Sequence, residues 1–175
     1  GTGHALLHAR PFLGSDPFVV AYPDDLHFGE VPLAKQLIEL YNETGCTVLA
    51  TIHDPPNLHS YAVPALDGAY VTDIEEKPAI GAEKSKEASI GRFLYNSKFL
   101  DCLEEAWEKF TGEGEFYHVE GLMKQISERK VVVRPLTGKR VDTGTPDGYI
   151  RALVHYVSQR PELLSVLKEA MAEIE

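Results

Sequence analysis

Phe18-Val19-Val20-Ala21-Tyr22 lies between Pro17 and Pro23, and a helical pattern then leads to Cys46-Thr47-Val48-Leu49-Ala50-Thr51-Ile52. This succession constrains the fold more than any other feature. A continuous apolar run without alternation predicts a strand buried on both faces. Between the runs, Val31 to Glu43 has Pro32 in its first turn, Leu33, Leu37, Leu40 and Tyr41 on one side, and Gly45 to close it. That punctuation marks a helix. Strand, helix and strand together predict a crossover between parallel strands, and so an α/β sheet.

Further elements of both kinds follow. Tyr61 to Leu66 and Ala69 to Glu75 flank Asp67-Gly68, a hairpin signal. Gly81 to Glu87 reads as a polar loop and Ser89 to Tyr95 as a strand. Over Lys98 to Phe110, the residues Phe99, Leu103, Ala106, Trp107 and Phe110 share one helical face. Val119, Leu122, Met123 and Ile126 mark another helix, and Val131 to Val133 a strand. Thr145 as N-cap and Pro146 as first residue open a helical segment that runs to the end, broken at Pro161. Its apolar stripe (Leu163, Leu164, Leu167, Met171, Ile174) suits packing on the sheet or on a second copy, so a homo-oligomer is expected. A chain of 175 residues is read as one domain, 1–175, with 146–175 as a helical C-terminal segment.

Charge narrows the partners. Seventeen Lys and Arg stand against 27 Asp and Glu, a formal net of −10. Such a surface repels phosphate backbones, which argues against nucleic acid and anionic membrane. No apolar run approaches the ~20 residues that span a bilayer, and the opening GTGHALLHARPF lacks the pattern of a signal peptide. Cys46 and Cys102 are read as two buried thiols in a reducing cytoplasm.

Three short motifs carry possible chemistry. Pro23-Asp24-Asp25 ends the first apolar run, and ligands of open α/β sheets bind beyond the carboxyl ends of strands. Adjacent carboxylates there suit Mg²⁺, although the same residues make solvated turns. Asp142, in Val141-Asp142-Thr143-Gly144, precedes the Thr145 helix start and reads either as a second metal ligand or as a turn residue. In Glu75-Glu76-Lys77-Pro78, Lys77 suits a phosphate and Glu76 sugar hydroxyls, while a surface ion pair is the plainer meaning. His4 and His8 have a spacing used by zinc sites but no evident third ligand. No Ser-His-Asp arrangement or nucleophile elbow stands out.

Together these pieces resemble a family. Gly1-Thr2-Gly3-His4-Ala5, Phe18 to Leu26, Glu76-Lys77-Pro78, Ile90-Gly91-Arg92-Phe93 and Gly138-Lys139-Arg140-Val141-Asp142 follow the order of bacterial UTP–glucose-1-phosphate uridylyltransferases. Gly148-Tyr149 and Arg160-Pro161-Glu162-Leu163 also fit. The resemblance implies a Rossmann-like nucleotidyltransferase fold with a mixed central sheet and C-terminal helices, truncated at the N-terminus. It implies a Mg²⁺-dependent cytoplasmic enzyme for UTP and a sugar 1-phosphate. A phosphate oxygen attacks the α-phosphorus in line and pyrophosphate leaves, with no covalent intermediate. It makes Asp24 and Asp142 the metal ligands and Lys77 the phosphate lysine, all three catalytic. It assigns substrate contacts to Gly1 (by its backbone, to the base), Asp25, Glu76, Gly91 and Lys139.

Three departures stand against the family pattern. The chain as given starts after the family's Gly-rich loop with its Arg and the Lys that follows it, so the resemblance implies a piece that is inactive alone. Ser60-Tyr61-Ala62 replaces an Arg-Tyr-Gly motif that touches the sugar, which bears on sugar identity. Gly114 to Glu120 departs from the family's Gly-Glu-Ile-Gln-Leu-Thr-Asp pattern, so nothing carries over there. Two alternatives stay open: a thymidylyl- or guanylyl-type transferase, and a non-catalytic module that binds nucleotide sugars.

Overall fold

A computed structural model describes residues 1–174. The chain begins with helix α1 (Thr2–Leu13), followed by strands β1 (Phe18–Ala21) and β2 (Asp25–Phe28). Helix α2 (Leu33–Thr44) leads into β3 (Thr47–His53), the hairpin β4 (Ala62–Asp67) and β5 (Tyr70–Glu76), and the long β6 (Glu87–Tyr95). Helices α3 (Phe99–Glu108) and α4 (Val119–Ser127), strands β7 (Val131–Pro135) and β8 (Lys139–Asp142), and helices α5 (Pro146–Ser158) and α6 (Pro161–Ala172) complete it.

Local signals act as expected at several places. Pro32 caps α2, and Gly45 closes it in the left-handed conformation at φ 64°, donating its N–H to the carbonyl of Tyr41. Gly68, at φ 62°, forms the turn between β4 and β5. Thr145 caps α5 by accepting the Gly148 N–H, with Pro146 in the first turn.

The sheet itself departs from the simple crossover. Its six strands run β1-β6-β3-β7-β5-β4, so β6 sits between β1 and β3 and pairs antiparallel with both. Among the described residues only β3 and β7 are parallel neighbours, which makes the sheet mixed. β1 occupies an edge, and Val19 is 37% exposed rather than buried on both faces. The apolar strands β3 and β6 are buried along most of their length, covered on one face by α3 and α4 and on the other by α2. Leu49, Tyr95, Phe99, Leu103 and Leu122 fill the first layer, and Leu37, Val48 and Ile90 the second. Each such buried aliphatic side chain contributes about 1.5–3 kcal/mol.

Two buried polar residues tie the layers. Gln36, from α2, gives its amide to the carbonyls of Val31 and Thr137 and accepts the Thr137 N–H. This anchors the loop that launches β8. Gln125, from α4, accepts the Thr47 hydroxyl and donates to Asn96. Cys46 and Cys102 are free and buried. His4 and His8 meet edge-on at 4.5 Å, with His4 5.1 Å from Trp107. No residue of α6 is buried, so its stripe does not pack on the sheet.

Candidate active site

Strands β2 and β8 form a separate two-stranded ribbon, and its register sets one side of a cleft. Asp25 faces Asp142, and His27 faces Arg140. Since side chains alternate along a strand, Arg140 and Asp142 share one face while Lys139 and Val141 take the other. Asp25 is 5% exposed and fully engaged. Its Oδ1 accepts Arg140 Nε at 2.7 Å, and its Oδ2 accepts the Gly91 N–H at 2.7 Å. Its carbonyl accepts a guanidinium N–H of Arg92. Arg140 also donates to the Tyr61 hydroxyl at 2.9 Å and to Asp142 Oδ2 at 3.0 Å. Burial works to lower the Arg140 pKa, but the bond to Asp25 and its charge outweigh that, so the guanidinium is held even more firmly protonated.

Asp24 stands one residue away in a different state. Its carbonyl accepts both the N–H and the hydroxyl of Thr143, at 2.7 and 3.0 Å, which lashes it to the turn after β8. Its carboxylate makes no hydrogen bond among the described residues. A Cβ added to Gly144 would lie 3.2 Å from Asp24 Oδ2 and 3.1 Å from Asp142 Oδ1. The two acids thus converge on a space that a side chain at 144 would fill. Oxygen donors so placed fit a hard divalent cation, which takes its other ligands from water and phosphate. Among the described residues, no group of three or more His, Cys, Asp or Glu forms a complete metal cage. Gly148 keeps this turn tight: a Cβ there would come within 1.9 Å of the Asp142 carbonyl oxygen.

The β5 side of the cleft supplies Glu76 and Lys77. Burial raises the Glu76 carboxyl above its ordinary range, with the Lys77 charge opposing. Lys77 has φ 49°, in the left-handed region, although it is neither glycine nor free of the Pro78 that follows. Such a conformation costs of order 1–3 kcal/mol and concentrates at functional sites. Its N–H is held by the Tyr61 carbonyl, and Nζ lies 5.6 Å from the centre of the Tyr117 ring. In the register, Ala62 pairs with Glu76 on one side and Ser89 on the other. The methyl that departs from the family pattern therefore sits inside the cleft wall.

Gly91 lies where the β3–β6 register shifts, and it turns its N–H to Asp25 and its carbonyl to the Tyr22 N–H. A Cβ at Gly91 would strike Tyr22 at 2.6 Å, so the close packing of Tyr22 is what demands glycine.

The structure gathers Asp24, Asp25, Glu76, Lys77, Gly91 and Asp142 around one cleft of about 320 Å³. Two expected residues lie elsewhere. Lys139 is on the reverse face of β8 and meets His155 Nδ1 at 3.4 Å. Gly1 is packed against the Phe116 backbone, where a Cβ would come within 2.4 Å of the carbonyl oxygen; Thr2 reaches the cleft instead. Asp25 reaches it but has neither oxygen free, because Arg140 and Gly91 hold both. Arg140, Ser89, Tyr117 and His118 are among the cleft residues that sequence reasoning missed. Arg140 had a signal, since alternation places it beside Asp142 once 139–142 is read as a strand.

These features agree with known proteins. The nucleotidyl transferase family model matches residues 1–159. The UTP–glucose-1-phosphate uridylyltransferase of Staphylococcus epidermidis is 30% identical over 182 aligned residues, covering 100% of this chain and 62% of that protein. The enzyme of the same name from Pseudomonas aeruginosa is 35% identical over 162 residues, covering 87% of this chain and 57% of its own. A UDP-glucose pyrophosphorylase solved in complex with UDP-glucose superposes with a TM-score of 0.80 at 29% identity, covering 91% of this chain and 63% of that one. The chain thus spans about three-fifths of the length of the relatives it matches. By sequence along most of its length and by fold, this chain belongs to the nucleotidyl transferase family.

Proposed function

We propose that the protein transfers a uridylyl group from UTP to glucose 1-phosphate, giving UDP-glucose and pyrophosphate. The observation that carries this reading is the convergence of Asp24 and Asp142 beside Gly144, in the same cleft as Lys77 and Glu76. The names of the curated relatives supply the base and the sugar. In the reaction, an oxygen of the sugar phosphate bonds to the α-phosphorus of UTP. The bond from that phosphorus to the β-phosphate bridging oxygen breaks, and pyrophosphate leaves with the electron pair. No proton passes to the protein, in keeping with a cleft that holds charged groups and no activated nucleophile.

Each residue has a part. Asp24 and Asp142 would hold Mg²⁺, which when bound neutralises phosphate charge. Lys77 meets the sugar phosphate as a point charge, and Glu76 accepts hydrogen bonds from sugar hydroxyls. Arg140 fixes Asp142 by one N–H and Asp25 by another, which sets the spacing of the acids. Gly91 and Asp25 brace the ribbon against β6.

Self-association through the unburied stripe of α6 belongs to the same reading, and light scattering at micromolar concentration tests it. Among the described residues no helix is long and apolar enough to cross a membrane, and the two free buried thiols agree with a cytoplasmic site of action. The function is tested by pyrophosphate release from the natural polypeptide carrying this sequence, with Mg²⁺, glucose 1-phosphate and each nucleoside triphosphate in turn. Release with UTP alone is expected. Release with dTTP or GTP instead would replace the base, and silence from folded protein would leave the binding-module alternative.

A further inference from the structure

Ser89 and His118 each bring to the cleft floor a polar atom that makes no hydrogen bond among the described residues. Ser89 is 6% exposed, and its Oγ is buried without a hydrogen-bond partner. It lies in register beside Ala62, and through Ala62 beside Glu76, so the three side chains share the cleft face of β6, β4 and β5. His118 also lines the cleft, at 4% exposure. Its ring packs on Phe93 at 4.5 Å, and its backbone N–H donates to Thr2 Oγ1.

The Tyr95 hydroxyl settles the tautomer of His118. Tyr95 is completely buried, and its hydroxyl lies 2.7 Å from His118 Nδ1. Burial raises the phenol well above its ordinary pKa, so it keeps its proton. That proton has only Nδ1 to go to, because a buried hydroxyl left undonated costs about 1–3 kcal/mol. Nδ1 is therefore the acceptor. Burial lowers the imidazole to about 4, so the ring is neutral at pH 7 and its one proton is on Nε2. Among the described residues, the one hydrogen bond of the His118 ring is that at Nδ1, and none is made by Nε2. The cleft that His118 lines is its outlet.

We propose that His118 Nε2–H and Ser89 Oγ form a neutral hydrogen-bonding floor that selects the sugar by one of its ring hydroxyls. This rests on the uridylyltransferase reading of the same cleft and adds the residues that choose the sugar. A site built to pair a hydroxyl rejects the analogue that lacks it, since its own buried polar groups are then left unpaired. The methyl of Ala62 sits between this floor and Glu76, so it narrows the space in which that hydroxyl lies.

The test is calorimetric binding of UDP-glucose and its 2-, 3-, 4- and 6-deoxy analogues to the natural full-length protein. One deoxy position is expected to weaken binding to the wild type by about tenfold or more. In the double variant Tyr95→Phe/His118→Leu, which leaves no orphaned hydroxyl, that penalty should vanish while the other positions keep theirs. His118→Gln, with an amide donor, should retain part of it, and Ser89→Ala should reduce it. An unchanged pattern of penalties in every variant overturns the floor but leaves the uridylyltransferase reading standing. Failure of folded wild-type protein to bind any of these nucleotide sugars overturns both. Independently of ligand, ¹⁵N spectra of His118 should show the proton on Nε2. A proton on Nδ1 overturns the proposal.

Discussion

The β2–β8 side of the cleft and the β5–β6 side solve opposite problems. On the first, Asp25 and Arg140 satisfy one another and their neighbours almost completely. On the second, Ser89 Oγ is unpaired among the described residues, burial raises the Glu76 carboxyl above its ordinary range, and Lys77 Nζ lies against the face of Tyr117. A satisfied network fixes distances; unsatisfied groups are left for a ligand. Asp24 and Asp25 show the contrast within two residues, one carboxylate without a protein bond and the other with both oxygens taken.

The largest effect should come from the two convergent acids, Asp24 with its carboxylate unbonded among the described residues and Asp142 held by Arg140 and the Gly144 N–H. Asp24→Asn and Asp142→Asn are each expected to lower turnover by roughly three orders of magnitude, about 4 kcal/mol of barrier. Asp24→Asn should do so with an unchanged melting point. A rate near wild type for Asp24→Asn would erase the contrast with Asp25. Asp25→Ala should act through the fold instead. It leaves Arg140 Nε and the buried Gly91 N–H without their acceptor, while Asp142 and Tyr61 still hold the rest of the guanidinium, and should cost about 1–3 kcal/mol in urea unfolding. A loss below 1 kcal/mol would show that the ribbon is not held as described.

His118 sharpens the comparison through pH. Its folded pKa, about 4, lies below the ordinary value of 6.5. The unfolded chain therefore binds a proton between those values while the folded chain does not, so stability falls as pH drops from 6.5 toward 4. The loss from this group approaches about 3 kcal/mol. The double variant Tyr95→Phe/His118→Leu should lose correspondingly less between pH 7 and 4.5, and an identical slope would contradict the buried neutral imidazole. Lys77→Ala should have the smallest effect, about tenfold in affinity for glucose 1-phosphate with little loss of stability. Unchanged affinity would remove Lys77 from the phosphate site.

Much of the fold was legible where local chemistry decides. Pro32 and Gly45 bound α2, Gly68 makes the hairpin, and Thr145 with Pro146 starts α5. Strand order was not legible, because β6 enters between β1 and β3 through pairings 34 to 77 residues apart in the chain, and nothing local encodes that choice. The site followed the same rule. Asp24, Asp142, Glu76 and Lys77 fall where the motifs pointed, in one cleft. Asp25 and Asp24 look alike as neighbouring acids, and only the arrival of Arg140 and Gly91 separates them. Lys139 came in with the family resemblance, whereas the pleat of β8 gives the cleft to Arg140. His118 is a lone histidine until Tyr95, 23 positions earlier, assigns its proton.

Asp24 and Asp142 are proposed to hold a cation at the cleft, while Asp25 serves the fold. Calorimetric titration of UDP-glucose into the natural protein, with and without Mg²⁺, tests it most directly. The account predicts that Mg²⁺ tightens binding by about tenfold or more in the wild type, and that Asp24→Asn loses this gain while melting as the wild type does. Equal affinity with and without Mg²⁺ in both proteins would contradict it.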